Sequence, residues 1–251
     1  MSGHSKWATT KHKKAIIDAK KGKAFTQVAN MIALAAKQGG ADPKMNFSLR
    51  LAIDKAKAAN MPTANIERAI KRGTGELGGN RIEEFVYEGY GPSGTAVLVE
   101  TASDNKNRTV GEIRAAFTKS GGSLGNSGSV AYLFDQKGQL AINMNDQKAS
   151  KEEIELLILD SGADDFEENE DSIIVYTKPN DFAKVKESLE VSGVIFESAE
   201  LAYIAQADVH VKDKDKAASI LKLIDTLESL DDVVAVHSNF DIPDEILEEI
   251  I

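Results

Sequence analysis

The chain has 251 residues, 42% hydrophobic and 28% charged, with a formal net charge of −10 and a pI near 5.0. This composition suits a globular protein of one large domain or two to three small ones. The chain holds no cysteine, which excludes disulfides, thiolate metal sites and cysteine nucleophiles.

The first stretch, "GHSKWATTKHKKAIIDAKKGK" (3–23), carries seven lysines and two histidines against one carboxylate, Asp18. It has no apolar core ahead of a small-residue cleavage site, and no arginine precedes Arg50, so neither a secretory signal nor a mitochondrial presequence is expected. No apolar run approaches a membrane span. The expectation is a cytoplasmic protein.

Helical spacing continues in "KAFTQVANMIALAAKQGG", where Phe25, Val28, Ile32 and Ala36 share a face and Gly39–Gly40 end the pattern. A second helix is expected in "ADPKMNFSLRLAIDKAKAANM", with Asp42 as N-cap and Pro43 at the first helical position. "PTANIERAIKRG" reads as a third, short helix stopped by Gly73, and "GTGELGGN" (73–80) as a linker. The period then changes. "RIEEFVYEGYGPSGTAVLVETAS" predicts two strands around a Gly-Pro-Gly turn, "DNKNRTVGEIRAAFTKSGG" a helix capped by Asp104, and "GSVAYLF" (128–134) a third strand. From 138 onward the order is strand, helix, strand, strand, helix, strand, the ferredoxin-like arrangement. "DKDKAASILKLIDTLESL" and "DVVAVHSN" add a final helix and strand, which would complete the 82–134 unit. The expected class is α+β with three domains, a helical one followed by two α/β ferredoxin-like sandwiches. Their bounds are 1–81, 82–135 plus 206–251 (discontinuous), and 136–205 (inserted).

Motif by motif, little points to catalysis. Gly73-Thr-Gly75-Glu-Leu-Gly78 follows a helix, whereas a dinucleotide loop follows a strand. Gly89-Tyr-Gly91-Pro-Ser-Gly94 fits a tight hairpin, and no H-R-D or D-F-G accompanies it. "SGGSLGNSGS" (120–129) could offer backbone N–H groups to a phosphate, but a plain loop is the default. His4, His12, His210 and His237 form no metal-ligand spacing, and the last two read as structural or surface residues. The acidic run at 163–171 lacks calcium-loop spacing and reads as a solvated hairpin end. No enzyme, cofactor, metal or small-molecule substrate is expected.

Charge is the informative signal. Residues 1–81 hold 16 Lys+Arg and 5 Asp+Glu, a net of +11, while residues 82–251 hold 14 and 35, a net of −21. Such asymmetry points to a nucleic-acid-facing module on an acidic body. The candidate contacts are Lys6, Lys11, Lys13, Lys14, Lys20, Lys21 and Lys23, with His4 and His12 among them. Trp7, the single tryptophan, either stacks on a base or, as the default for an isolated aromatic, pins the arm to the helical core. A smaller patch comprises Lys106, Arg108, Arg114 and Lys119. Lysine suits phosphate as a point charge, whereas arginine and amides read base edges, so backbone or shape recognition is expected.

Together "GHSKWATTKHKKAIIDAKKGK", "LRLAIDKAKAANMPTANIERAIKRGTGE", "YEGYGPSGTA", "DNKNRTVGEIRAAFTKSGGSLGNSGSVAYLF" and "LKLIDTLESLDDVVAVHSNFDIP" resemble the YebC/PmpR family, from residue 2 to about 243. The resemblance implies three domains, one helical and two α/β, and a pattern that begins at the first residues rather than after a removable presequence. It implies a DNA-binding transcriptional regulator. Relatives include the mitochondrial translational activator of cytochrome c oxidase, and other members look like ribosome-acting factors that relieve stalling at proline-rich stretches. The partner is thus DNA or ribosomal RNA, with the ribosome as the second case. Two departures, Ser93 where the family often has glycine and Ala205 near a common proline, leave the basic blocks untouched. The family supplies no settled set of functional residues, so the candidate list rests on charge and position.

Overall fold

The computed structural model describes residues 21–169 and 171–250, with side-chain surroundings from residue 24 onward. Three helices open it: α1 (Lys21–Gly39), α2 (Phe47–Ala58) and α3 (Thr63–Thr74). Their apolar faces meet in one cluster, with Ile32, Leu49 and Ala56 fully buried.

Two helix boundaries differ from the sequence expectation. Asp42 is not the cap of α2. It forms a turn of its own, its carboxylate accepting from the Lys44 N–H at 2.9 Å, and the helix starts four residues on. The cap is Asn46, 5% exposed, whose Oδ1 accepts from the Leu49 N–H at 3.0 Å. Its Nδ2 donates to the carbonyls of Ala35 and Gly40 at 2.8 Å each, so one amide caps α2 and closes the end of α1. Gly73 does not stop α3. The stop is Gly75 at φ +84°, while Gly73 lies within the helix where a Cβ would stand 2.2 Å from the Ala33 carbonyl oxygen.

β1 (Glu83–Tyr90) and β2 (Ala96–Ser103) form the expected hairpin, paired antiparallel from Glu83↔Ser103 to Tyr90↔Ala96. Its turn holds Ser93 at φ +63°, a left-handed conformation that favours glycine. Helix α4 (Lys106–Lys119) follows, capped by Asn105 and not by Asp104: the Asn105 Oδ1 accepts from the Arg108 N–H at 3.1 Å. The expected strand at 128–134 is replaced by a two-residue strand, β3 (Ser123–Leu124), a loop and a 3₁₀ turn (Ala131–Leu133).

The ferredoxin-like run is β4 (Phe134–Asn143), α5 (Lys151–Ser161), β5 (Asp165–Glu168), β6 (Ser172–Thr177), α6 (Phe182–Val191) and β7 (Ser198–Ala205). Its sheet order, β5-β6-β4-β7, is that of the ferredoxin-like fold. Ser150 and Glu153 form a capping box on α5. Leu140, Ile142, Ile173 and Val175 line up across β4 and β6, all fully buried, with Ile154, Ile158, Phe182 and Leu189 buried on the helices.

The chain closes with β8 (Val209–His210), α7 (Lys214–Glu228), β9 (Val233–Ser238), β10 (Phe240–Asp241) and α8 (Asp244–Ile250). β9 pairs with β2, giving a second four-stranded sheet of order β3-β1-β2-β9, with the β1–β2 hairpin at its centre. α4 and α7 bury Ile113, Phe117, Ile220, Leu223, Ile224 and Leu227 against Val97 and Val99 of β2. β8 and β10 form a short parallel pair not foreseen from the sequence. The protein is thus a mixed helix–sheet molecule with helices first and α/β sheets after. It divides into two compact units, one within 134–204 and one of the described residues up to Leu133 and from Ala205 to 250.

Candidate nucleic-acid interface

Of the first basic group, His4, Lys6, Trp7, Lys11, His12, Lys13, Lys14 and Lys20 lie outside the described residues, and Lys21 and Lys23 stand on the backbone at the start of α1. The remaining basic residues of the helical segment include exposed Arg50, Lys57, Arg68 and Lys71 on α2 and α3. Lys71 belongs to the last turn of α3, and Arg50 lies 5.3 Å from the Phe47 ring centroid. Lys37 instead donates to the Ile82 carbonyl at 2.7 Å.

The second group separates into residues with different roles. Arg108 is tied inward: its Nη2 donates to Asp232 Oδ2 at 2.8 Å and Oδ1 at 3.0 Å, and to Asp104 Oδ1 at 3.2 Å. Asp232 is 4% exposed and also accepts from the Thr109 and Ser103 hydroxyls at 2.7 and 2.9 Å. The hydrogen bond to Asp232, more than any other contact, raises the Arg108 pKa above its ordinary value. Asp104 holds Arg72 of α3 with its other oxygen at 3.2 Å, and Arg72 reaches Asn30 of α1 at 2.9 Å. This arginine–aspartate chain, with the Gln27 amide on the Glu228 and Leu230 carbonyls at 2.6 and 2.9 Å, fastens the helical segment to the β2–β9 end of the sheet. The cleft of about 430 Å³ beside it is lined by four carboxylates, Asp104, Glu112, Asp231 and Asp232, against Arg72 and Arg108. That balance disfavours a phosphate.

Lys106 lies 5.2 Å from the Phe85 ring centroid. Arg114 and Lys119 are exposed and hold no ion pair among the described residues. Their charge, like that of exposed Lys106, stays available, whereas that of Arg108 is committed to Asp232 and Asp104.

The loop 120–129 has backbone N–H groups that already serve an anion, but an internal one. The Glu88 carboxylate on β1, 5% exposed, accepts from the N–H groups of Gly128 at 2.6 Å and of Val130 and Ala131 at 2.7 Å each. Burial pushes this carboxyl up, but the N–H groups of 128–131 together outweigh it and hold the pKa below the ordinary value. No local pattern in the sequence marks this clamp, because Glu88 and its donors are far apart in the chain. His237 meets Glu100 at 2.6 Å and His210 meets Asp241 at 2.5 Å. No described group of three or more histidines and carboxylates is placed to hold a metal, and no described helix is long and apolar enough to cross a membrane.

A basic helical segment followed by two α/β sheets in an acidic remainder defines a mixed helix–sheet class of protein. The chain belongs to the TACO1/YebC family: residues 5–76 match its N-terminal domain and residues 82–240 its second and third domains. A "probable transcriptional regulatory protein" of Halothermothrix orenii is 53% identical over 250 residues, spanning 100% of this chain and 99% of its own length. One so named from Pelotomaculum thermopropionicum is 49% identical, spanning 97% of this chain and 100% of its own. The crystal structure of a conserved hypothetical protein from Aquifex aeolicus matches with a TM-score of 0.85 at 45% identity, covering 93% of this chain and 95% of that one.

Proposed function

We propose that this protein is a non-enzymatic, nucleic-acid-binding regulator of gene expression that docks through its lysine-rich helical end. The observation that carries the reading is the charge division, +11 over residues 1–81 against −21 over the rest. A polyanion is drawn to the first segment and repelled by the second, which supports docking through the first. The names of the relatives favour transcription as the process, for which DNA would be the target. The division at 81/82, 135/136 and 205/206 gives this scheme one basic and two acidic modules, with the work of contact assigned to Lys6, Lys11, Lys13, Lys14, Lys20, Lys21 and Lys23.

A second reading, a cytoplasmic ribosome-binding translation factor, is favoured by a specific feature. The docking segment is lysine-rich and has no arginine before Arg50, which suits phosphate backbone over base edges. Sedimentation of cell lysate through sucrose at moderate and high salt separates the two. Comigration with ribosomes that salt abolishes makes the translation reading primary. A protein that stays at the top of the gradient, and prefers a promoter over random duplex by about 10³ or more, makes the transcriptional reading primary. Failure to bind either partner contradicts both.

A further inference from the structure

We propose that the outer face of α5, with the adjoining end of α6, docks a cationic amphipathic segment of another protein; this goes beyond the nucleic-acid reading and does not depend on it. Helix geometry defines the face. One apolar stripe suffices to seat α5 on its sheet, and Ile154 and Ile158, each 1% exposed, supply it. Leu156 and Leu159 stand on the far side of the same helix. They are three residues apart, hence on one face, and are 63% and 65% exposed. A helix that is apolar on two sides has the pattern of one covered on two sides.

The end of α6 extends this face. α5 and α6 pack on each other. Gln147, just ahead of α5, donates to the Ile195 carbonyl at 2.8 Å and accepts from the Ile195 N–H at 3.0 Å. The chain leaving α6 therefore lies against the chain entering α5. That seam brings Val191, 84% exposed, and Ile195, 51% exposed, to the N-terminal end of α5. From there to Leu159 is about 12 Å along the helix axis. Scattered singly, exposed apolar residues mean little; gathered on one layer they mark a contact surface.

Charge selects the occupant. Residues 134–204 hold six lysines, no arginine and 17 Asp+Glu, a net of −11. On α5 the two leucines are framed by carboxylates at helical spacing: Glu152 four residues before Leu156, Glu155 four before Leu159, and Asp160 four after Leu156. Glu155 and Asp160 hold no ion pair among the described residues, whereas the nearby cations are committed, Lys151 to Glu168 at 2.8 Å and Lys186 to Glu190. A nucleic acid or an anionic lipid surface is repelled here. A second copy would set two acidic frames against each other. Two leucines inside an acidic frame instead complement apolar side chains flanked by lysine or arginine, the pattern of a basic amphipathic helix.

The test uses the full chain and a fluorescein-labelled peptide of about eighteen residues, with leucine on one helical face and lysine on the other. A control peptide has the same composition in an order that puts leucine on no single face. The first should bind about tenfold or more tighter than the control. Leu156→Gln with Leu159→Gln should abolish that preference without moving the unfolding midpoint, since both side chains are exposed. Glu155→Lys with Asp160→Lys should weaken the peptide and lessen its salt dependence. In methyl spectra the peptide should shift Leu156 and Leu159 and leave buried Leu140 and Leu189 in place. If the wild-type chain binds neither peptide or both equally, or if the double glutamine variant keeps the preference, the surface is not a docking site of this kind. Concentration-dependent dimers that the double glutamine variant abolishes would overturn the assignment in favour of a second copy.

Discussion

Glu88 sits on a strand whose outward positions would suit any polar residue, and nothing nearby in the chain marks it. In the folded protein it is a nearly dry carboxylate neutralised by backbone dipoles, each bond charge-assisted. Glu88→Gln keeps the shape but turns an amide donor against N–H donors, and it should cost about 2–3 kcal/mol in chemical denaturation at neutral pH. The pH dependence has a definite sign. The folded pKa lies below the ordinary 4.5, so the stabilisation is fully present above that value and fades as pH falls through the folded one. The difference between wild type and Glu88→Gln should accordingly shrink at acid pH. A gap that stays constant with pH would mean the carboxylate's charge is not what holds the loop. Asp104 teaches the companion lesson. Its place before a helix suggests a cap, yet Asn105 takes that role and Asp104 bridges Arg72 and Arg108. Which of two adjacent polar residues caps is decided by a partner supplied from elsewhere.

Helices were the most legible elements, because their apolar period is local. α1, α3, α4 and α7 fall where periodicity puts them, and the β1–β2 hairpin where its turn residues do. What escaped was set by contacts distant in sequence. The alternation around Val130 and Phe134 resembles a strand, but the N–H groups of Gly128, Val130 and Ala131 go to Glu88 and not to a ladder. Gly73 looks like a helix stop and is in fact the point where α3 closes on α1. Gly73→Ala gains about 1 kcal/mol of helix propensity, but its methyl would meet the Ala33 carbonyl oxygen at 2.2 Å, a backbone atom that cannot rotate away. The overlap should win, with a net loss of about 1–3 kcal/mol in thermal or denaturant unfolding. An unchanged midpoint would mean the helices separate without cost. The candidate site was legible to a lesser degree. Lys106, Arg108 and Arg114 look alike in sequence, and only the fold separates the arginine committed to Asp232 from the one left available.

Over the whole molecule, the charge division is legible in the sequence and needs no structure. A body of net −21 is repelled by a polyanion, so under the proposed function attachment depends on the helical end and is strongly salt-dependent. The arginine–aspartate chain from Arg72 to Asp232, together with Ala33 packed by Ile82 and Ala102, holds that end against the first sheet. The most direct measurement is the affinity of the full chain for a duplex as a function of salt, with and without charge reversal at Lys11, Lys13 and Lys20. If about six lysines neutralise phosphates, the log–log slope is roughly −5 and the triple reversal flattens it by about half or more. A slope near zero, or one the reversal leaves unchanged, would contradict docking through the lysine-rich end.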